Sequence, residues 1–230
     1  MHRVAASAML KNELQPAARP AREGRLILSL EGNIGAGKST VGQRMKASGL
    51  FDFLEEPISL WREGFAANLL ERMYAEMERW AFTFQIMAFV TRVKTWQEIL
   101  SRTAHPRVVL ERSVFTDRHV FAANLHRLGA ISEVEWELYC GLWDFLVSQY
   151  CVQPDHIIYL RTPVEVCLER IRARGRKEES RITLDYLRQI EELHDRWLLG
   201  HPAALVLDGT RQWRPEEILE RLRLPVGGKP

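Results

Sequence analysis

Whatever fold this chain adopts has to accommodate one junction: Leu26-Ile27-Leu28-Ser29-Leu30-Glu31 running directly into Gly32-Asn33-Ile34-Gly35-Ala36-Gly37-Lys38-Ser39-Thr40. The first stretch is aliphatic and of strand length. The second contains G-x-x-x-x-G-K-S, and helical spacing follows it. Strand, glycine loop and helix in that order are the setting in which the pattern reads as a phosphate-binding loop rather than a bare turn. Gly32, Gly35 and Gly37 permit backbone conformations that a Cβ forbids, so the N–H groups of the loop can converge on one anion. The helix beginning near Gly37 adds its positive end. Lys38 then reaches the outer phosphates, and the Ser39 hydroxyl is placed for Mg²⁺. Gly32, Asn33, Ile34, Gly35, Ala36, Gly37, Lys38, Ser39 and Thr40 are therefore the expected set for binding a nucleoside triphosphate.

Composition narrows the setting. A chain of 230 residues, 46% hydrophobic and 27% charged, supports one folded domain with a sizeable core. A formal net charge of +2 lacks the bias of a nucleic-acid binder, so no polymer partner is expected. No apolar run approaches the length of a membrane span, and no membrane partner is expected. Cys140, Cys151 and Cys167 show no C-x-x-C spacing and read as buried thiols of a reducing compartment. Residues 1–24 lack apolar periodicity and read as a disordered tail, residues 225–230 as a second loose end, and 25–224 as the domain. Arg3, Arg19 and Arg22 among alanines resemble a mitochondrial transit peptide, but Glu13 and Glu23 oppose that reading. A cytoplasmic location is expected, with the mitochondrion as the alternative.

Beyond the loop, helical spacing is expected from Val41 to Ser48 and a short strand at Phe51–Leu54, closed by Glu55-Glu56-Pro57. Helices are expected from Ala66 to Met77 and from Arg79 to Ser101, and a buried strand at Arg107–Leu110 before Glu111-Arg112-Ser113. Helices over Phe115–Leu128 and Glu133–Tyr150 lead to a strand at His156–Leu160. Pro163 opens the next helix, another covers Leu184–Leu199, and Ala204–Leu207 and Pro215–Leu222 supply the last strand and helix. Strands alternating with helices predict an α/β fold: a five-stranded parallel sheet with helices on both faces, as in P-loop NTPases. Ligands of such sheets collect at the carboxyl ends of the strands. The glycine loop, Glu55-Glu56 and Glu111-Arg112-Ser113 all fall there.

Six motifs in one order carry a resemblance. Gly32 to Ser39, Glu56-Pro57 with Trp61-Arg62, Met73-Tyr74, Phe84-Gln85, Glu111-Arg112-Ser113, and Arg170-x3-Arg174-Gly175-Arg176-Lys177-Glu178-Glu179 resemble the deoxynucleoside kinase family, in register from about Leu26 to Leu199. The resemblance implies transfer of a γ-phosphoryl group from ATP·Mg²⁺, or another nucleoside triphosphate, to a nucleoside 5′-hydroxyl. It implies that Glu56 takes the hydroxyl proton, a role the family leaves open to Glu111 as well. Glu111 with Ser39 would hold Mg²⁺, and Lys38 and Arg112 would neutralise the transferring phosphoryl. Arg170, Arg174 and Arg176 would form a helical lid. Tyr74 and Glu179 would grip the 3′-hydroxyl, Gln85 would read the base edge, and Trp61, Met73 and Phe84 would wall the base. Arg92 and Asp117 match the branch acting on deoxycytidine and the purine deoxynucleosides rather than thymidine, and Ala88 leaves room for a purine. A surface salt bridge between Arg92 and Asp117 is the plainer reading of that pair. Trp213, near the expected donor-base segment, would stack on adenine. The family also implies a homodimer, for which the two long helices carry enough apolar surface.

Two other readings share the glycine loop. One is a nucleoside monophosphate kinase of thymidylate type, which needs extra cations for the acceptor phosphate. The other is a regulatory subunit that holds a triphosphate without transferring it.

Overall fold

A computed structural model describes residues 24–226 of the protein. Of the two segments read above as tails, residues 1–23 and 227–230 lie outside the described residues. The aliphatic run before the glycine loop is strand β1, Leu26–Glu31, buried along its whole length. It can be buried on both faces because it is the central strand. The sheet, completed by β2 (Asp52–Leu54), β3 (Arg107–Glu111), β4 (His156–Arg161) and β5 (Ala204–Asp208), runs in the order β2-β3-β1-β4-β5. All four pairings are parallel, with Leu28 opposite Val109 on one side and Leu30 opposite Ile158 on the other.

The helices are α1 (Lys38–Ala47), α2 (Ile58–Glu63), α3 (Leu69–Ala75), α4 (Met77–Arg102), α5 (Val114–Thr116), α6 (Ala123–Arg127), α7 (Glu133–Tyr150), α8 (Val164–Arg174), α9 (Leu184–Leu198) and α10 (Pro215–Arg221). A π-helical segment, Asp117–Ala122, joins α5 to α6, and a 3₁₀ turn, Lys177–Glu179, follows α8. Alternation along the strands divides the core. Leu28, Leu30, Val109 and Ile158 pack with Val41 and Met45 of α1 and Cys167 of α8. Ile27, Val108 and Leu110 point the other way, onto Phe89, Val93 and Trp96 of α4 and Tyr139 of α7. Both faces are covered, as continuous aliphatic strands require.

Chain direction matters most for function. The connection from β1 goes through α1 to β2 at one edge, whereas that from β3 crosses β1 to reach β4 on the other side. A crevice therefore opens between the carboxyl ends of β1 and β3, where neighbouring connections diverge. The glycine loop and Glu111-Arg112 face each other across it.

The expected elements are present, with three differences. Pro57 starts a short helix, α2, at a place read only as a break. The expected helix over Phe115–Leu128 contains the π segment. The helix opened by Pro163, given no end above, is α8 and runs to Arg174, so Arg170 and Arg174 lie within it. Cys151 and Cys167 are buried as expected and Cys140 is half-buried, and all three thiols are free. No helix among the described residues is long and apolar enough to cross a membrane.

Candidate active site

Glycine is required where the loop turns. Gly32 and Gly35 hold φ of 143° and 78°, and a Cβ would lie 2.6 Å from Leu160 O and 2.4 Å from Cys167 O respectively. Gly37 caps α1 with φ 99° and no side-chain cap, so the first-turn N–H groups stay free for an anion. Asn33 builds the loop rather than projecting from it. Its Nδ2 donates to Leu187 O at 2.8 Å, and its Oδ1 accepts from Ile34 N at 2.8 Å. Lys38 Nζ donates to Gly32 O and Asn33 O at 3.1 and 2.8 Å. Burial, and then the Arg112 charge, lower its ammonium pKa to about 7 despite the opposing pull of Glu111 and Glu56.

Opposite the loop, Ser39 Oγ donates to Glu111 Oε1 at 2.7 Å. Arg112 sits in the left-handed region at φ 62°, which costs a non-glycine residue about 1–3 kcal/mol. What the strain achieves is visible in its contacts. The Arg112 backbone N–H donates to Leu30 O at 3.0 Å, extending the sheet, while Nη1 donates to Gly32 O at 2.8 Å. Nε lies 3.3 Å from Glu56 Oε1, and the guanidinium covers the Phe121 ring at 4.8 Å. Glu56 also accepts from Arg92 Nη2 at 2.7 Å. Burial alone would raise the Glu56 pKa, but Arg112, then Arg92 and Lys38, outweigh it and hold the carboxyl down at about 2. Glu55 points away and accepts from Gln43.

The other half of the site is walled by α2, α3 and α4. Trp61 and Phe84 meet edge to face with centroids 5.5 Å apart, and Trp61 Nε1 donates to Thr91 Oγ1 at 2.9 Å. The Gln85 side chain is buried, and its Oε1 has no hydrogen-bond partner among the described residues. Arg92, 2% exposed, donates from Nε and Nη2 to the two Asp117 carboxylate oxygens at 2.8 and 3.1 Å. The pair is thus no surface salt bridge; it is buried beside Glu56.

The arginine segment closes the remaining side. Arg170 rests on the loop, donating to Ala36 O at 3.0 Å and to Gly209 O at 3.1 and 3.2 Å. Arg174 and Arg176 turn to Glu179, Nη2 of the first lying 2.6 Å and Nη1 of the second 3.2 Å from its oxygens. One cavity of about 600 Å³ joins these parts. It is lined by residues 34–40 of the loop, by Glu56, Glu111 and Arg112, by Trp61, Met73, Tyr74, Phe84, Gln85, Ala88, Arg92 and Asp117, and by Arg170, Arg174, Arg176 and Glu179.

Trp213 corrects an expectation. It is 5% exposed, donates Nε1–H to Asp208 O at 2.8 Å, and lies under Arg211 and Arg221 at 4.2 and 4.8 Å, so no face is free to stack on a ligand. Gly209, Thr210, Arg211 and Gln212 line that end of the cavity instead. The reading from sequence also missed Ile58, Leu70 and Phe121, which complete the apolar wall. Phe121 had one available signal, its spacing of four residues from Asp117 on the same helical run.

The order of these parts matches one family. The Deoxynucleoside kinase family model matches residues 28–223. The chain belongs to the deoxynucleoside kinase family. A probable deoxycytidine kinase of Fowlpox virus (strain NVSL) is 39% identical over 171 residues, covering 74% of this chain and 71% of its own. The deoxycytidine kinase of Mus musculus is 38% identical over 208 residues, 80% of either chain. The mitochondrial thymidine kinase 2 of Homo sapiens is 34% identical over 182 residues, 77% of this chain and 66% of its own. The kinase is an ATP-dependent deoxynucleoside kinase.

Proposed function

We propose that this P-loop kinase phosphorylates the 5′-hydroxyl of deoxycytidine, deoxyadenosine or deoxyguanosine in preference to thymidine. The observation that carries the reading is the single cavity: Glu56 and Arg112 stand at the junction of an anion-binding loop and an apolar, Gln85-bearing chamber. A nucleoside in the chamber with its 5′ end at Glu56 meets a triphosphate on the loop without either leaving shelter from water.

Glu56, ionised at neutral pH, accepts the hydrogen bond of the 5′-hydroxyl and orients its lone pair. In a loose phosphoryl-transfer transition state the proton leaves late, so a weakly basic carboxylate suffices. Arg112, shared between Glu56 and Gly32 O, faces both the attacking oxygen and the phosphoryl. As it turns toward phosphate it relaxes its hold on Glu56, and the carboxylate becomes a better base. Glu111 is committed to Ser39, which supports Glu56 as the base. The Ser39 hydroxyl and Glu111 carboxylate are hard oxygen donors suited to Mg²⁺. Ser39 and Glu111 would hold the ion there, and it would supply neutralisation of the charge developing on the phosphates.

Asp117, held by Arg92, supplies an acceptor for an exocyclic amino group, which deoxycytidine and deoxyadenosine carry and thymidine lacks. The unpartnered Gln85 Oε1 supports the same edge-reading role. A monophosphate acceptor would need a free cation beside Glu56, and Arg92 is already spent on two carboxylates. Val134, Leu138 and Leu142 of α7, 68%, 55% and 38% exposed at four-residue spacing, support a second copy as partner. The free thiols support a reducing compartment, which we take to be the cytoplasm. The reading is tested by turnover of the four deoxynucleosides with ATP·Mg²⁺. Deoxycytidine or a purine deoxynucleoside should lead, and thymidine as the best substrate would overturn the base preference.

A further inference from the structure

The 3₁₀ turn Lys177–Glu179 is three residues long, and three residues per turn send its side chains in three directions. Lys177 Nζ lies 3.1 Å from Glu71 Oε1 on α3. Glu178 pairs with Arg62 on α2. Glu179 accepts from Arg174 and Arg176. Just beyond the turn, Arg181 Nη1 donates to the carbonyl of Ala75, the last residue of α3, at 3.1 Å. The turn is thus bound both to the helices that wall the nucleoside chamber and to the arginines that face the loop.

These ties are unequal. The Lys177–Glu71 pair is exposed, at 85% and 43%, and such pairs hold little. The Glu178 side chain is 3% exposed, and a buried carboxylate deprived of its cation is strongly unfavourable, so its ion pair with Arg62 fixes where the turn sits. Arg62 is the residue after Trp61, which walls the chamber. Adjacent carboxylates therefore divide the connection: Glu178 reaches α2 and Glu179 reaches the arginines.

We propose that Glu178, through Arg62, is a positioning residue that makes α2, α3 and the arginine segment one mechanical unit, so that nucleoside and triphosphate strengthen each other's binding. The inference rests on the kinase reading above. A nucleoside that settles against Trp61, Met73 and Tyr74 fixes α2 and α3. The Arg62–Glu178 ion pair transmits that to the turn, and Glu179 then presents Arg174 and Arg176 toward the loop. The effect is reciprocal, since linked binding free energies are.

The test titrates full-length protein with β,γ-methylene-ATP·Mg²⁺, with and without saturating deoxycytidine, in the wild type, E178Q, R62M, R62K and the R62M/E178Q double variant. In the wild type deoxycytidine should tighten the analogue by about tenfold. E178Q and R62M should bring that factor close to one and raise the KM for ATP more than they lower kcat. R62K should retain most of the coupling, and the double variant should be no worse than either single one. E178Q keeps the side chain's size and removes its buried charge, and a thermal melt in parallel confirms that each variant is folded. Wild-type coupling in both E178Q and R62M would overturn the proposal, as would a wild type that turns over deoxynucleosides with no coupling. A wild type that phosphorylates no nucleoside would overturn the kinase reading, and this inference with it.

Discussion

Glu56→Gln separates the chemistry from the binding. The substitution preserves the shape of the side chain and an oxygen for Arg92 Nη2, now 2.7 Å away, but removes the charge that balances Arg92 and Arg112. Loss of a positioned base costs about 10²–10⁴ in kcat, or about 3–5 kcal/mol of barrier. Because the lost interaction belongs to the transition state, kcat and kcat/KM should fall together while the analogue's affinity for the loop is retained. The same residue carries a stability signature. Its carboxyl is held at about 2 against an ordinary 4.5, a preference for the ionised form worth about 3 kcal/mol. A carboxyl depressed in the folded state stabilises it above the unfolded pKa and loses that contribution as pH falls through the folded value. The stability gap between wild type and E56Q should therefore be full at pH 7 and close between about pH 4.5 and 2. Steady-state kinetics at pH 7 and urea melts down the pH series measure both. A kcat within about tenfold of wild type would refute the base assignment, since that is less than a base contributes. A stability gap that ignores pH would refute the electrostatic account of the Arg92–Glu56–Arg112 cluster.

Three further outcomes follow from the same geometry. Lys38 must be protonated to hold phosphate, so above its free-enzyme pKa of about 7 the affinity for the ATP analogue should fall by up to tenfold per pH unit, with proton uptake visible in calorimetry across buffers of different ionisation heat. R92M strands Asp117 and Glu56 in a buried site and should cost about 3–5 kcal/mol of stability; R92M/D117A should recover part of that in thermal melts and raise thymidine use relative to deoxycytidine. An unchanged ratio would sink the selectivity argument. Gly35→Ala should abolish binding of the ATP analogue in direct titration, because its Cβ would collide with Cys167 O at 2.4 Å in a backbone with φ 78°.

The sheet was legible because its strands are aliphatic and its turns are punctuated by glycine and proline, so period and length alone locate β1, β3 and β4. The polar part of the site was legible for a related reason: charged residues immediately after such strands have few places to go except the crevice. Trp213 was misread because an aromatic beside a loop looks the same whether it is exposed or buried. Its burial comes from joining the core cluster of Leu160, Val164 and Cys167, contacts distant in sequence that local pattern does not encode. The left-handed Arg112 and the π segment behind Phe121 are backbone states, and nothing in their side-chain types announces them. Glu178 was named only as part of the arginine motif, with no role of its own. Only its ion pair with Arg62 of α2 separates its role from that of Glu179.

The account stands or falls on where the transferred phosphoryl lands. Incubating the protein with γ-labelled ATP·Mg²⁺ and, separately, deoxycytidine, 2′,5′-dideoxycytidine and dCMP decides it. Label should appear on the 5′ oxygen of dCMP formed from deoxycytidine, with none transferred to the analogue lacking that hydroxyl and none to dCMP. Label passed to dCMP to give the diphosphate, or no transfer to any nucleoside, would contradict a site built around Glu56 and a 5′-hydroxyl.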